Sequence, residues 1–320
     1  MIIKKQNYLK HAIVLFLLLL LMQPERAWAA YENVEFSSLT NHDGLTNSQV
    51  GAILKDTRGY IWFGTQSGLC RFDGFRMKTF YYINTDDKSL PNNSVDELQQ
   101  DYGGNIWVHT SVGYCIYKYD EEQFERKPEE WLKNIHVQGP PYKLLIDKDK
   151  NMWIAVYGQG LYFHNAKTKN TYLFKFTKKA QPGCLKEGNI SKITEVDGDA
   201  LITYGDGTIC RVNGQKQKVL WYNSFLATHK AAGDNGAYTF YDGIGGFWLS
   251  VSNANYVYQS KTGKWTDARS YLTNMGIDIP CPTRILMRDI ARDKAGNLWV
   301  ASDHNGLFFV DFKRKICRQY

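Results

Sequence analysis

The chain has 320 residues, 43% hydrophobic and 14% aromatic, with 27 glycines; that is enough for a large core, and no low-complexity segment or Pro- or Ser-rich linker divides it. The formal net charge of +7 comes from lysines and arginines scattered over the sequence, which excludes the basic stripe of a nucleic-acid binder. The six cysteines form no C-x-x-C pair and read mostly as buried small hydrophobes, with a disulfide from Cys184 or Cys281 as the minority alternative.

Residues 1–29 stand apart. Lys4, Lys5 and Lys10 precede an apolar run from Ala12 to Met22, and Ala27-Trp28-Ala29 follows as a small-x-small cleavage site. This is the pattern of a secretory signal peptide, with a mature chain starting at Ala30 or Tyr31. The apolar run is about 11 residues, short for a membrane span. Removing Lys4, Lys5, Lys10, Arg26 and Glu25 lowers the net charge from +7 to +4. Val34 to Leu39 reads as an outermost strand ahead of the first full repeat unit.

From there a motif returns about every 47 residues. It is first Asp56-Thr57-Arg58-Gly59-Tyr60-Ile61-Trp62-Phe63-Gly64-Thr65, then Asp101 to Thr110 around Trp107, then Asp147 to Val156 around Trp153. A weaker copy, Val196 to Tyr204, has Leu201 in the tryptophan position. Gly243 to Trp248 departs around the turn, and Asp293 to Ser302 around Trp299 is clean. Lys150 stands where the third copy should have its turn glycine. Each copy has an alternating apolar run, an Asp-x-x-Gly turn, a short run with the tryptophan, a second turn into a segment such as Gly68-Leu69-Cys70-Arg71-Phe72, and a closing strand such as Met77 to Tyr81. Four short strands per period predict an antiparallel blade. The fold expected is an all-β propeller with six visible blades centred on Trp62, Trp107, Trp153, Leu201, Trp248 and Trp299. The tryptophans are expected to fill the space between blades. Glu129 to Lys133 and Ala268 to Met275 are the two helical candidates.

Asp147-Lys148-Asp149-Lys150-Asn151 opens like a calcium loop but lacks the later glycine and glutamate, so it reads as a turn. No nucleophile, zinc or phosphate-loop motif is present, and the chain is read as non-enzymatic, with no cofactor and no metal; a lyase or glycosidase on a propeller is the alternative. If the first strand of each blade is innermost, the loops leading into it share one end of the propeller with the turns that follow the tryptophan strands. Gln66, Asn93, Tyr157, Asn253 and His304 are the candidate ligand contacts there, a mix of amides and an aromatic that could hydrogen-bond and stack on a sugar.

Asp43-Gly44-Leu45-Thr46-Asn47-Ser48-Gln49-Val50, followed by Asp56-x-x-Gly59-x-Ile61-Trp62-Phe63-Gly64-Thr65 and Gly68-Leu69-Cys70-Arg71-Phe72-Asp73-Gly74, resembles the two-component regulator propeller repeat. That resemblance implies the periplasmic sensor region of a Bacteroidetes hybrid two-component histidine kinase. It implies an oligosaccharide as ligand, a homodimeric receptor anchored in the inner membrane, and partner domains in the same receptor: further propeller, β-sandwich and kinase. It also implies a seven-bladed ring, of which this sequence supplies six blades, so the expectation is that the chain is truncated at its C-terminus.

Overall fold

The computed structural model describes residues 36–178, 184–224, 238–243, 246–251, 254–259, 262–280 and 285–320. Residues 40–320 form one compact unit and residues 1–39 another, of which only Phe36 to Leu39 are described. Residues 1–29, read above as a signal peptide, therefore lie outside the described residues, as do Asn253 and Cys281. Phe36 to Leu39 form no strand, which departs from the reading of Val34 to Leu39 as a strand.

The unit is a β-propeller of six antiparallel blades. The innermost strands are Val50–Lys55, Val95–Gln100, Pro141–Ile146, Ile190–Val196, Tyr238–Tyr241 and Met287–Arg292. The outermost antiparallel strands are Met77–Phe80, Gln123–Glu125, Thr171–Thr177, Lys218–Asn223, Lys264–Asp267 and Ile316–Gln319. Blade 3 gains a fifth strand, Leu185–Lys186, which runs parallel to Thr171–Thr177. Among the described residues the two α-helices are short: α1, Pro128–Lys133, and α2, Ala268–Asn274, both between blades.

Blades pack through the anchor position. Trp62, Trp107, Trp153 and Leu201 are 0% exposed, and each faces the following blade. Trp62 packs edge-on against Tyr117 and Tyr119 of blade 2. Trp153 joins Ile190, Ile202 and Cys210 of blade 4, and Trp248 joins Leu298, Val300 and Phe308 of blade 6. Burying rings in this way makes each interface a small hydrophobic core.

The turn aspartate fixes the ring as well as the turn. The Trp62 indole N–H donates to the Asp56 carboxylate at 2.7 Å, and the other carboxylate oxygen accepts the backbone N–H groups of Arg58 and Tyr60. The same indole–carboxylate bond joins Trp107 to Asp101 (3.1 Å), Trp153 to Asp147 (3.3 Å), Trp248 to Asp242 (3.3 Å) and Trp299 to Asp293 (3.3 Å). The fifth copy thus keeps its aspartate, Asp242, one residue ahead of the segment that departs in sequence. In blade 4, where leucine replaces the tryptophan, Val196 holds the position of that aspartate, and Asp199, across the turn, binds Arg211 and Asn213. The turn there shrinks to Asp197-Gly198, both at positive φ. Lys150 adopts φ 64°, the left-handed conformation that Gly59, Gly104 and Gly296 supply in their copies, so the third turn keeps its shape at some backbone strain.

The Asp43-Gly44-Leu45-Thr46-Asn47 motif is a plug. Thr40 and Asp43 cap a short 3-10 turn, Gly44 ends it at φ 94°, and Leu45 drops onto Phe63 and Cys70 of blade 1. Leu90 is its counterpart between blades 1 and 2. Cys70 and Cys115 occupy equivalent buried positions, and the thiols of Cys70, Cys115, Cys184 and Cys210 are unpaired. Burial pushes the Cys115 and Cys210 thiols up, the mark of inert core cysteines.

The two end blades are different. Innermost strands of neighbouring blades pack on one another from blade 1 through blade 6, and among the described residues blades 6 and 1 lack comparable packing. Trp299 is only half-buried; it stacks on Tyr320 and meets Phe309 at a tilt, both in its own blade. On the opposite open face, Ile53 is 67% exposed, whereas its equivalents Leu98, Leu144 and Ile193 are buried.

Candidate functional site

Hydrogen bonds between loops establish which ends meet. Gly68 N–H donates to the Asn93 carbonyl, Ser111 N–H to Ser94, Gly205 N–H to Asn189 and Asp303 N–H to Leu286. In each case a turn after a tryptophan-position strand is tied to the segment entering an innermost strand. These segments share one end of the propeller, as the sequence implies.

The sequence candidates fall on this end but do not form one cluster. Gln66 accepts from the Ser94 hydroxyl at 2.9 Å. Next to it, the Asn93 side-chain carbonyl accepts from Tyr82 N–H at 2.7 Å, so Asn93 braces the loop. Tyr157, 69% exposed, lies flat on Tyr142 with ring centroids 3.9 Å apart. His304 is exposed on blade 6, with Nε2 3.4 Å from Asp303. Asn253 lies outside the described residues. A cavity of about 120 Å³ between blades 5 and 6, lined by Trp248, Leu272, Met287 and Phe308 among others, does not include Gln66, Asn93, Tyr157 or His304.

What the sequence reading missed lies just below this rim. The innermost strands of blades 1, 2, 3, 4 and 6 each carry a bulge near the loop end. A bulge leaves one residue unpaired and re-aims it. The extra residues are Gly51, Asp96, Tyr142, Ser191 and Arg288. Four of them reach the neighbouring strand or loop: Asp96 meets His109 at 2.5 Å, Tyr142 stacks on Tyr157, the Ser191 hydroxyl donates to the Thr203 carbonyl at 3.1 Å, and Arg288 pairs with Asp303 at 2.8 Å. Burial, and next to it the Tyr157 ring, pushes the Tyr142 phenol up to about 12.

The residues after the bulges are Ala52, Glu97, Lys143, Lys192 and Asp289, and register places Tyr238 in the same position of blade 5. They form one layer around the axis. Lys143 Nζ lies 2.5 Å from Glu97, whose other oxygen accepts from the Tyr114 hydroxyl at 2.5 Å. Lys192 lies over the Phe240 ring at 3.9 Å. Burial holds its ammonium below the usual lysine range, against the pull of Asp289 and Glu97. The signal was present in the sequence: five of the six positions fall ten residues before the anchor tryptophan, and Lys192 falls nine before Leu201 because its turn is shorter.

Residues 44–67 match the family model described as two component regulator propeller. That match covers 24 of the 320 residues. The matched stretch spans the Leu45 plug, the innermost strand, the Asp56 turn and the Trp62 strand of blade 1. No curated protein matches the chain in sequence. Among solved structures, the extracellular domain of a hybrid two component system from B. thetaiotaomicron is similar at TM-score 0.60 and 20% identity, over 88% of this chain and 36% of that one. A second such domain from the same organism is similar at TM-score 0.54 and 16% identity, over 85% and 36%. PorZ, a surface component of the type-IX secretion system of Porphyromonas gingivalis, is similar at TM-score 0.53 and 12% identity, over 86% and 32%. What is shared at these identities is the propeller fold, and this chain spans about a third of the length of those structures. Among its described residues, no helix is long and apolar enough to cross a membrane.

Proposed function

We propose that this chain is the ligand-sensing region of a periplasmic two-component receptor and that the loop end of the propeller takes an oligosaccharide released from a glycan. The observation that carries the reading is the match of the first repeat to the two component regulator propeller, supported by the fold common to extracellular domains of hybrid systems. The loop end supports a sugar ligand because it presents an exposed ring, Tyr157, held flat by Tyr142, and carries amides and carboxylates from other blades at the same end. Sugars stack on such rings and exchange hydrogen bonds with such groups. On this reading the chain itself is not catalytic, and the kinase belongs to other domains of the receptor. Calorimetry against a panel of neutral and acidic oligosaccharides tests it. One of the panel should bind, and Tyr157→Ala should weaken that binding about tenfold, the loss of one stacked ring. A ligand whose affinity survives Tyr157→Ala together with changes at Gln66, Asn93 and His304 would move the site elsewhere.

The domain organisation is proposed on the same footing: residues 1–29 as a cleaved signal peptide, and a seventh blade completing the ring between blades 6 and 1. The half-buried Trp299 and the exposed Ile53 support the latter, since both face the side where their counterparts are covered. Exposed apolar faces of this kind favour self-association. Acrylamide quenching of Trp299, with the other tryptophans near the surface replaced, is the check. Quenching should fall sharply in a longer chain that supplies the blade. Equal quenching in both would remove the seventh blade.

A further inference from the structure

We propose that the axial channel of the propeller holds an anion site at Lys192, and that it takes the carboxylate or sulfate ester of an acidic sugar whose ring rests on Tyr157. This rests on the loop-end reading above and narrows it to a ligand class. Pairing in the axial layer leaves one cation over. Glu97 is already satisfied on both oxygens, by Lys143 at 2.5 Å and by the Tyr114 hydroxyl at 2.5 Å. Asp289 accepts the backbone N–H of Ile290 at 2.9 Å and makes no ion pair with Lys192. Lys192 is left with the Phe240 face, 3.9 Å from its ammonium, and with no carboxylate within ion-pairing distance among the described residues. A partly buried ammonium in this position is stabilised by an arriving anion, because a charge-assisted hydrogen bond is strong where water is scarce.

Position supports the pairing with Tyr157. Tyr142, on which Tyr157 lies, packs in the same cluster as Ile190, and Ile190 is two residues from Lys192 on the innermost strand of blade 4. A stacking surface on the rim and a cation below it suit a saccharide with one acidic substituent. A neutral sugar would leave Lys192 as it stands. The charged groups around Lys192 are Asp289 from blade 6, Glu97 from blade 2 and Lys143 from blade 3.

The test uses the purified chain with its lysines reductively methylated with carbon-13 and followed by NMR. The Lys192 signal is assigned by its loss in Lys192→Arg. Sodium glucuronate, galactose 6-sulfate and galactose are the probes. The Lys192 signal should move and saturate with glucuronate or with galactose 6-sulfate, the two arms telling carboxylate from sulfate, and its titration midpoint should rise with the anion bound. Galactose should leave it still. Lys192→Met should weaken binding of the effective anion about tenfold or more, as expected for a lost charge-assisted bond, while Lys133→Met, on the surface of α1, should change nothing. A Lys192 signal that ignores both anions, or moves no more than that of Lys133, overturns the proposal. If a neutral oligosaccharide still binds through Tyr157 in that case, the loop-end reading stands and only the anion site falls. If Lys192 responds and no glycan of the panel binds, the reverse holds.

Discussion

Trp62→Ala, Trp107→Ala and Trp153→Ala should each destabilise the propeller by about 3–5 kcal/mol in a denaturant titration, the range for a large aromatic removed from a packed core. All three rings are fully buried, and each is shared by two blades. The lost contacts are therefore inter-blade ones, and the cavity left behind has rigid sheet on both sides that cannot collapse into it. Trp299→Ala is the internal control. Its ring is half-buried and touches Phe309 and Tyr320 of its own blade, so its loss should cost only about 1 kcal/mol, in proportion to the smaller area it buries. The four variants thus read out which side of each blade is covered. A Trp299 variant as damaging as Trp107→Ala would mean that blade 6 is covered in solution by a second copy or by blade 1.

The second large effect is expected at the turn aspartates. Asp101→Ala removes the acceptor for the Trp107 indole and for Asn105, whose backbone and side-chain N–H groups both bond the carboxylate. A buried indole N–H is left without a partner, and the expected loss is about 2–4 kcal/mol. Trp107→Phe leaves the carboxylate without its indole donor. Combining the two should cost less than their sum by about 1–2 kcal/mol, because neither partner is then orphaned. Strict additivity would mean that the indole bond contributes nothing. Blade 4 shows the same logic: with Leu201 in place of tryptophan there is no indole to bind, and Val196 stands where the carboxylate would be. Environment tunes these carboxylates as well. Burial pushes Asp147 up, whereas at Asp293 in the open blade 6 the burial cost is outweighed by the Asn297 and Trp299 donors, so its carboxyl sits low.

The blades were legible because each is local. Strand, turn, strand and anchor tryptophan lie within one period of about 47 residues, and the turn residues and apolar alternation that specify them are short-range signals. The six copies, the two short helices and the end at which Gln66, Asn93, Tyr157 and His304 lie could all be read that way. The sequence also carried the aspartate–tryptophan pair at fixed spacing, but its meaning was hidden. A turn aspartate explains itself through backbone N–H groups, and nothing in the sequence says that its second oxygen faces an indole six residues on.

What only the tertiary structure decided is what lies between repeats. Which tryptophan is covered depends on the next blade, so Trp299 and Trp62 look alike in sequence and differ in burial. Asn93 looked like a free amide until the fold brought Tyr82 N–H to it. The axial layer is the clearest case. Glu97, Lys143, Lys192 and Asp289 are spread over 193 positions of chain, and each reads as an ordinary polar residue near the start of a strand. A bulge at the same place in successive blades sets them in one ring, where electrostatic attraction decides which charges pair. Local sequence determined the blade because its contacts are local; closure around an axis determined the site because its contacts join residues from different blades.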